Sequence, residues 1–139
     1  MKKNNFKLFL DDIRQPSDGF LYAEQKYLLK YSQTQSCQWE VVRNYEDFCE
    51  FIDKFGIPSM VSFDHDLHFE HMRHYHDVTT KTGVIEYGNL KYKTGKQCAE
   101  YFLDKWRIAG KPSTQVYVHS ANRWGQVEIK NVLKELIND

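Results

Sequence analysis

The order of elements predicts an α/β protein with a mainly parallel sheet of about four strands and helices on its faces. Two observations carry this reading. Short apolar runs alternate with segments whose apolar residues recur at helical spacing, in the order β, β-α, β-α, β-α, and that alternation belongs to parallel sheets covered by helices. The strand-like runs also end abruptly in polar residues, as buried strands do where they reach the sheet edge.

The first strand is the run Phe6 to Leu10, halted by Asp11 and Asp12. Trp39-Glu40-Val41-Val42 forms the second and ends at Arg43-Asn44. In the segment that follows, Phe48, Phe51, Ile52 and Phe55 fall at i, i+3, i+4 and i+7, which makes one apolar helical stripe. Asn44 suits the N-cap of this helix, and Gly56 with Pro58 its end. Ser59 to Phe63 is the third strand, stopped by Asp64. A second helix opens at Thr94, with Gln97 completing a capping-box pattern, and buries Cys98, Ala99, Phe102, Leu103 and Trp106 before Gly110 and Pro112 end it. Gln115 to Val118 is the fourth strand, and a last helix places Ile129, Val132, Leu133, Leu136 and Ile137 on one face. Residues 17–38 read as a loop or a weak helix. Residues 68–93 read as an insertion with turns at Thr82-Gly83 and Gly88-Asn89.

The 139 residues suit a single domain, 1–139, and a domain of this size buries roughly 68% of its unfolded surface without needing a disulfide. A net charge of +0 gives no support for broad nucleic-acid or membrane binding. The 3 cysteines, Cys37, Cys49 and Cys98, are far apart and lack CxxC spacing, as expected of ordinary thiols in a reducing compartment. The start MKKNNFKLFLDD has too short an apolar run for a signal peptide, and no run is long enough to span a bilayer. The expected location is cytoplasmic.

Chemistry-bearing residues collect at three strand ends: Asp11, Asp12 and Arg14 after the first, Asp64, His65 and Asp66 after the third, and His119, Ser120 and Asn122 after the fourth. In a parallel sheet these ends share one edge, where open α/β sheets bind ligands. Four acids in one crevice raise one another's pKa unless a cation neutralises them, and hard oxygen ligands suit Mg²⁺ or Mn²⁺, with His65 or His119 as a further ligand favouring Mn²⁺ or another transition metal. On an extended segment Asp64 and Asp66 face one side and His65 the other. Taken singly, an acidic pair after a strand also reads as a solvated turn or cap, and His119 as a hydrogen-bonded structural histidine. Arg14 and Arg43 each follow a strand and can recognise phosphate oxygens; partnership with a carboxylate is the ordinary alternative. Thr94-Gly95 and Ser120-Ala121-Asn122 precede helix N-termini, which favour anions.

The stretches LFLDDIRQP, WEVVRNY, IPSMVSFDHDL, TG at 94–95 and VHSANRWG together resemble the cyclic-phosphate-processing receiver-like family. The likeness touches strands one to four and about two-thirds of the chain; it leaves out 17–38 and the insertion. It implies a receiver-like (flavodoxin-like) three-layer sandwich, activity on cyclic phosphates of nucleotides, and members in bacteria and their phages. It also implies that Asp11, Asp12, Arg14, Asp64, His65, Asp66, Thr94, His119, Ser120 and Asn122 line the crevice. The chain departs from a phospho-accepting receiver in lacking a recognisable fifth strand with its lysine, and in placing Asp64-His65-Asp66 where a single acceptor aspartate would stand.

The resulting expectation is a metal-dependent phosphodiesterase. Asp11, Asp12 and Asp64, with Asp66 as a further candidate, hold a divalent Mg²⁺ or Mn²⁺; His119 or His65 acts as general acid or base; Arg14 and Arg43 neutralise phosphate charge; Thr94, Gly95, Ser120 and Asn122 position the ligand. The expected partner is a small cyclic-phosphate nucleotide. A module that sequesters such a nucleotide, and a phospho-accepting receiver, are the alternatives. His68, His71 and His74 drift off a single helical face at this spacing, so the tract that holds them and His76 reads as a solvated loop or substrate lid, with Zn²⁺ binding the competing reading.

Overall fold

The structure is a computed structural model that describes residues 6–13, 39–67, 93–120 and 122–137. Arg14, Cys37, segment 17–38, and the insertion with His68, His71, His74 and His76 up to residue 92 lie outside the described residues.

Four strands, β1 (Lys7–Leu10), β2 (Trp39–Val42), β3 (Met60–Phe63) and β4 (Gln115–Val118), form an all-parallel sheet in the order β2-β1-β3-β4. The helices are α1 (Tyr45–Phe55), α2 (Gly95–Ile108), α3 (Arg123–Val132) and a short α4 (Lys134–Ile137). This is a receiver-like α/β fold.

Local chemistry sets the helix ends. The Asn44 side chain accepts from Asp47 N–H at 2.8 Å, and Glu46 and Asp47 place negative charge at the first turn of α1, where the helix dipole favours it. The Thr94 hydroxyl and the Gln97 side chain form a complete capping box at α2. The expected last helix is instead two helices. Leu133 caps α3 in a turn conformation, its N–H donating to Ile129 C=O at 3.0 Å, and α4 follows it and packs against β4; Ile129 and Leu133 are both buried.

Strand alternation divides the apolar residues between two faces. Leu8, Leu10, Val61, Phe63 and Val118 point to the face where α2 packs between α1 and α3, and they share one core with Phe48, Ile52, Cys98, Phe102 and Ile129. Phe102 is fully buried there, with its ring centroid 5.7 Å from Phe63 and 6.3 Å from Phe48. Phe9, Trp39 and Met60 form a smaller cluster on the opposite face, with Val41 and Tyr117 against it. No helix among the described residues is long and apolar enough to cross a membrane.

Because Phe102 meets both α1 and β3, Phe102→Ala is expected to cost about 3–5 kcal/mol, read as a lower urea midpoint at unchanged slope. A loss below ~1 kcal/mol would contradict its place at the centre of this core.

Candidate functional site

The sheet register explains how distant residues meet. The last paired row across three strands is Leu10, Phe63 and Val118. One residue further, backbone bonds continue the ladder: Asp64 N–H donates to Leu10 C=O at 3.0 Å, His119 N–H to Phe63 C=O at 3.0 Å, and Asp11 N–H to Val42 C=O at 3.1 Å. Asp11, Asp64 and His119 therefore stand side by side in one row. By alternation they face away from Leu10, Phe63 and Val118, on the side of Phe9 and Ser62.

Each of the three offers a ligand atom within 4.8 Å of the other two, and all are buried, with Asp11 at 0%, Asp64 at 5% and His119 at 1% exposure. Two carboxylates this close in a low-dielectric place repel unless positive charge compensates them. Two oxygen donors and one imidazole nitrogen fit Mn²⁺ or Mg²⁺, so a divalent cation suits the residues present. His119 Nε2 lies 3.1 Å from Asp11 Oδ2, and its Nδ1 lies 2.7 Å from Ser62 Oγ. Its ring stacks on Phe9 at 4.3 Å, with the planes 9° apart. The remaining Asp11 oxygen accepts from Ile13 N–H at 3.0 Å, and Asp64 Oδ1 accepts from His65 N–H at 2.9 Å.

The other expected site residues divide into two groups. Asp12 is half-buried beside Asp11 and is not one of the three clustered ligands. Arg43 lies at the same edge, where its Nη1 donates to the Asp11 carbonyl at 3.1 Å and ties the end of β2 to that of β1.

His65 lies apart from the triad, toward α3. Its Nδ1 is 2.8 Å from Asp66 and its Nε2 is 3.0 Å from Glu128, which also pairs with Lys96. Asp66 does not line up beside Asp64. It bends back to His65 and accepts two bonds from Asn122 Nδ2, at 3.1 and 3.3 Å. Asn122 Oδ1 caps α3 through Gly125 N–H at 3.0 Å, and Ser120 Oγ accepts from Asn122 N–H at 3.1 Å. The Ser120 carbonyl accepts from the Gln126 side chain.

Thr94 and Gly95 are buried at the start of α2, and Gly95 N–H donates to His65 C=O at 2.7 Å. Both glycines here are demanded by close approach. A Cβ on Gly95 would fall 1.9 Å from the Asp64 carbonyl oxygen, and one on Gly125 would fall 2.3 Å from the His65 ring.

Ser62 and Glu128 were not singled out by the sequence. Ser62 carried a readable signal, a hydroxyl at an inward strand position two residues before Asp64. Glu128 carried none, because a glutamate on a helix reads as solvated surface.

Comparison with protein families places residues 6–135 in the cyclic-phosphate processing receiver domain, and the chain belongs to that family. Searches of curated proteins and of solved structures gave no match.

Burial alone would push the His65 imidazolium to a lower pKa, but hydrogen bonds and charge from Asp66 and Glu128 outweigh it and hold the pKa above its ordinary value. Glu128 is burdened by burial, yet His65 and Lys96 bring it below the usual carboxylate value. A raised histidine pKa stabilises the fold fully below about pH 6.5 and loses that contribution as pH rises through the folded-state value. The lowered Glu128 acts in the opposite sense, contributing above its ordinary range and failing as pH falls through its folded-state value. The urea midpoint is thus expected to decline from pH 6 to 8.5 in the wild type and to decline less in Glu128→Gln. Equal slopes in the two proteins would refute the ion-pair account of His65.

Proposed function

We propose that the protein is a metal-dependent phosphodiesterase that opens a cyclic phosphate of a nucleotide or nucleotide derivative. The observation that carries this is the buried Asp11, Asp64 and His119 group at the carboxyl edge of the sheet, taken together with membership of the cyclic-phosphate processing receiver domain.

In this reading Asp11, Asp64 and His119 hold Mn²⁺ or Mg²⁺, with Asp12 as an additional carboxylate at the rim. The ion would supply Lewis-acid polarisation of a phosphoryl oxygen and a lower pKa for a water. In net terms, a water oxygen bonds to phosphorus as the water gives up a proton, one ring P–O bond breaks, and the departing alkoxide takes up a proton to leave a phosphomonoester and a hydroxyl. Arg43 keeps the Asp11 backbone in place, and Arg14, the second arginine of this edge in sequence, is assigned to phosphate charge. Thr94 and Gly95, with Ser120 and Asn122, shape the loops at the helix N-termini beside the crevice. His65 and Asp66 are assigned to support of this edge, since both are engaged with each other and with α3.

The test is incubation of purified protein and Mn²⁺ with 2′,3′-, 3′,5′- and ADP-ribose 1″,2″-cyclic phosphates, followed by ³¹P NMR. Ring opening of at least one is expected. Loss of a metal ligand removes several kcal/mol of charge stabilisation, so Asp11→Asn and Asp64→Asn should lower kcat on the order of 10³-fold. Folded protein that turns over none of the panel refutes the enzyme. Recovery of tightly bound but unchanged ligand after denaturation would identify a sequestering module instead.

A further inference from the structure

We infer that Ser62 sets the tautomer of His119 and thereby lets this imidazole alternate between a metal-free and a metal-holding arrangement; the inference rests on the metal reading of the site.

Contacts at both ring nitrogens and on one ring face constrain the His119 side chain. Nδ1 faces Ser62 Oγ at 2.7 Å, Nε2 faces Asp11 Oδ2 at 3.1 Å, and Phe9 covers the ring at 4.3 Å. Ser62, Phe9 and Asp11 are each 0% exposed, and His119 is 1% exposed. Rotating the ring would break both polar contacts and the stack, so His119 can respond to a change at its edge only by moving a proton.

A neutral imidazole has one N–H and one acceptor nitrogen, and an ionised carboxylate only accepts. In the metal-free protein a neutral His119 therefore carries its proton on Nε2 and donates it to Asp11. Nδ1 is then the acceptor, and the Ser62 hydroxyl donates to it. A cation held by Asp11, Asp64 and His119 needs the lone pair of Nε2. The proton then belongs on Nδ1, and Ser62 Oγ must accept it. The exchange moves one proton between the two ring nitrogens and leaves the net charge of the imidazole unchanged.

A hydroxyl meets both demands by rotating, because it carries one donor and two acceptor lone pairs. A methyl group meets neither and would leave a buried N–H unpaired in the metal-holding arrangement. Ser62 is thus a positioning residue that acts on the metal through His119. The partner of a ligating histidine's second nitrogen commonly shapes metal affinity in this way.

The experiment reads His119 directly. Long-range ¹H–¹⁵N NMR is recorded at pH 8 in EDTA and after addition of Zn²⁺, used as a diamagnetic probe. Mn²⁺ affinity is measured by calorimetry for the wild type, Ser62→Ala and Ser62→Thr, with melting in EDTA to check folding. The expected result is an Nε2–H tautomer in EDTA and an Nδ1–H tautomer with Zn²⁺. Ser62→Ala should weaken Mn²⁺ binding roughly 10- to 100-fold, and Ser62→Thr, which keeps the hydroxyl, should restore it. The role of Ser62 is overturned by a wild type that binds metal without exchanging its tautomer, a result that needs no variant. It is overturned equally by a folded Ser62→Ala that binds Mn²⁺ as the wild type does. A wild type that binds neither ion overturns the metal reading along with it, so the two failures are distinguishable.

Discussion

Two carboxylates and an imidazole buried in one row of a parallel sheet are the constraint around which the rest of this protein is arranged. Asp11, Asp64 and His119 each extend a strand by one residue, so the same ladder that builds the sheet brings them together. Burial makes their mutual repulsion costly. The surroundings limit how that cost can be met. His119 cannot swing away because Ser62 and Phe9 hold it, and the Asp11 carboxylate is oriented by the Ile13 N–H. Rigid donors of this kind cannot relax outward, and a divalent cation is the ordinary remedy for such a set.

The opposite face of the same edge has the complementary solution. There the polar groups satisfy one another: His65 bridges Asp66 and Glu128, Asn122 ties Asp66 to the cap of α3, and Lys96 pairs with Glu128. This network joins the end of β3 to the first turns of α2 and α3. It also explains why two glycines stand where larger residues would collide, since Gly95 lies against the Asp64 carbonyl and Gly125 against the His65 ring. The two faces meet at Asp64, whose side chain belongs to the row with Asp11 and His119 and whose backbone abuts α2. A change on the helix side can therefore be felt in the row through this one residue.

Much of the fold was legible because its signals are local. Strand runs that end in polar residues, the Asn44 and Thr94 caps and the stripes on α1 and α2 depend on neighbours within about one turn, and they reappear in the structure, except that Phe55 at the end of the α1 stripe is exposed. The break at Leu133 was not legible, because both sides of it share one helical stripe. At the site, the convergence of three strand ends followed from topology. The separation of Asp66 from Asp64 did not follow, because strand alternation ceases to govern once the chain leaves the strand.

By itself the sequence determined the parallel α/β architecture and the identity of the acids and histidines at its carboxyl edge, since periodicity and the polar ends of strands are written in consecutive residues. Only the tertiary structure decided which of them act together. Register placed His119, not His65, beside Asp11 and Asp64, while packing against Gly125 and Glu128 drew His65 to the helices. The physical reason is that a side chain's partners are set by which strand lies next to its own and which face it points to, and both are settled by contacts between residues far apart in the chain.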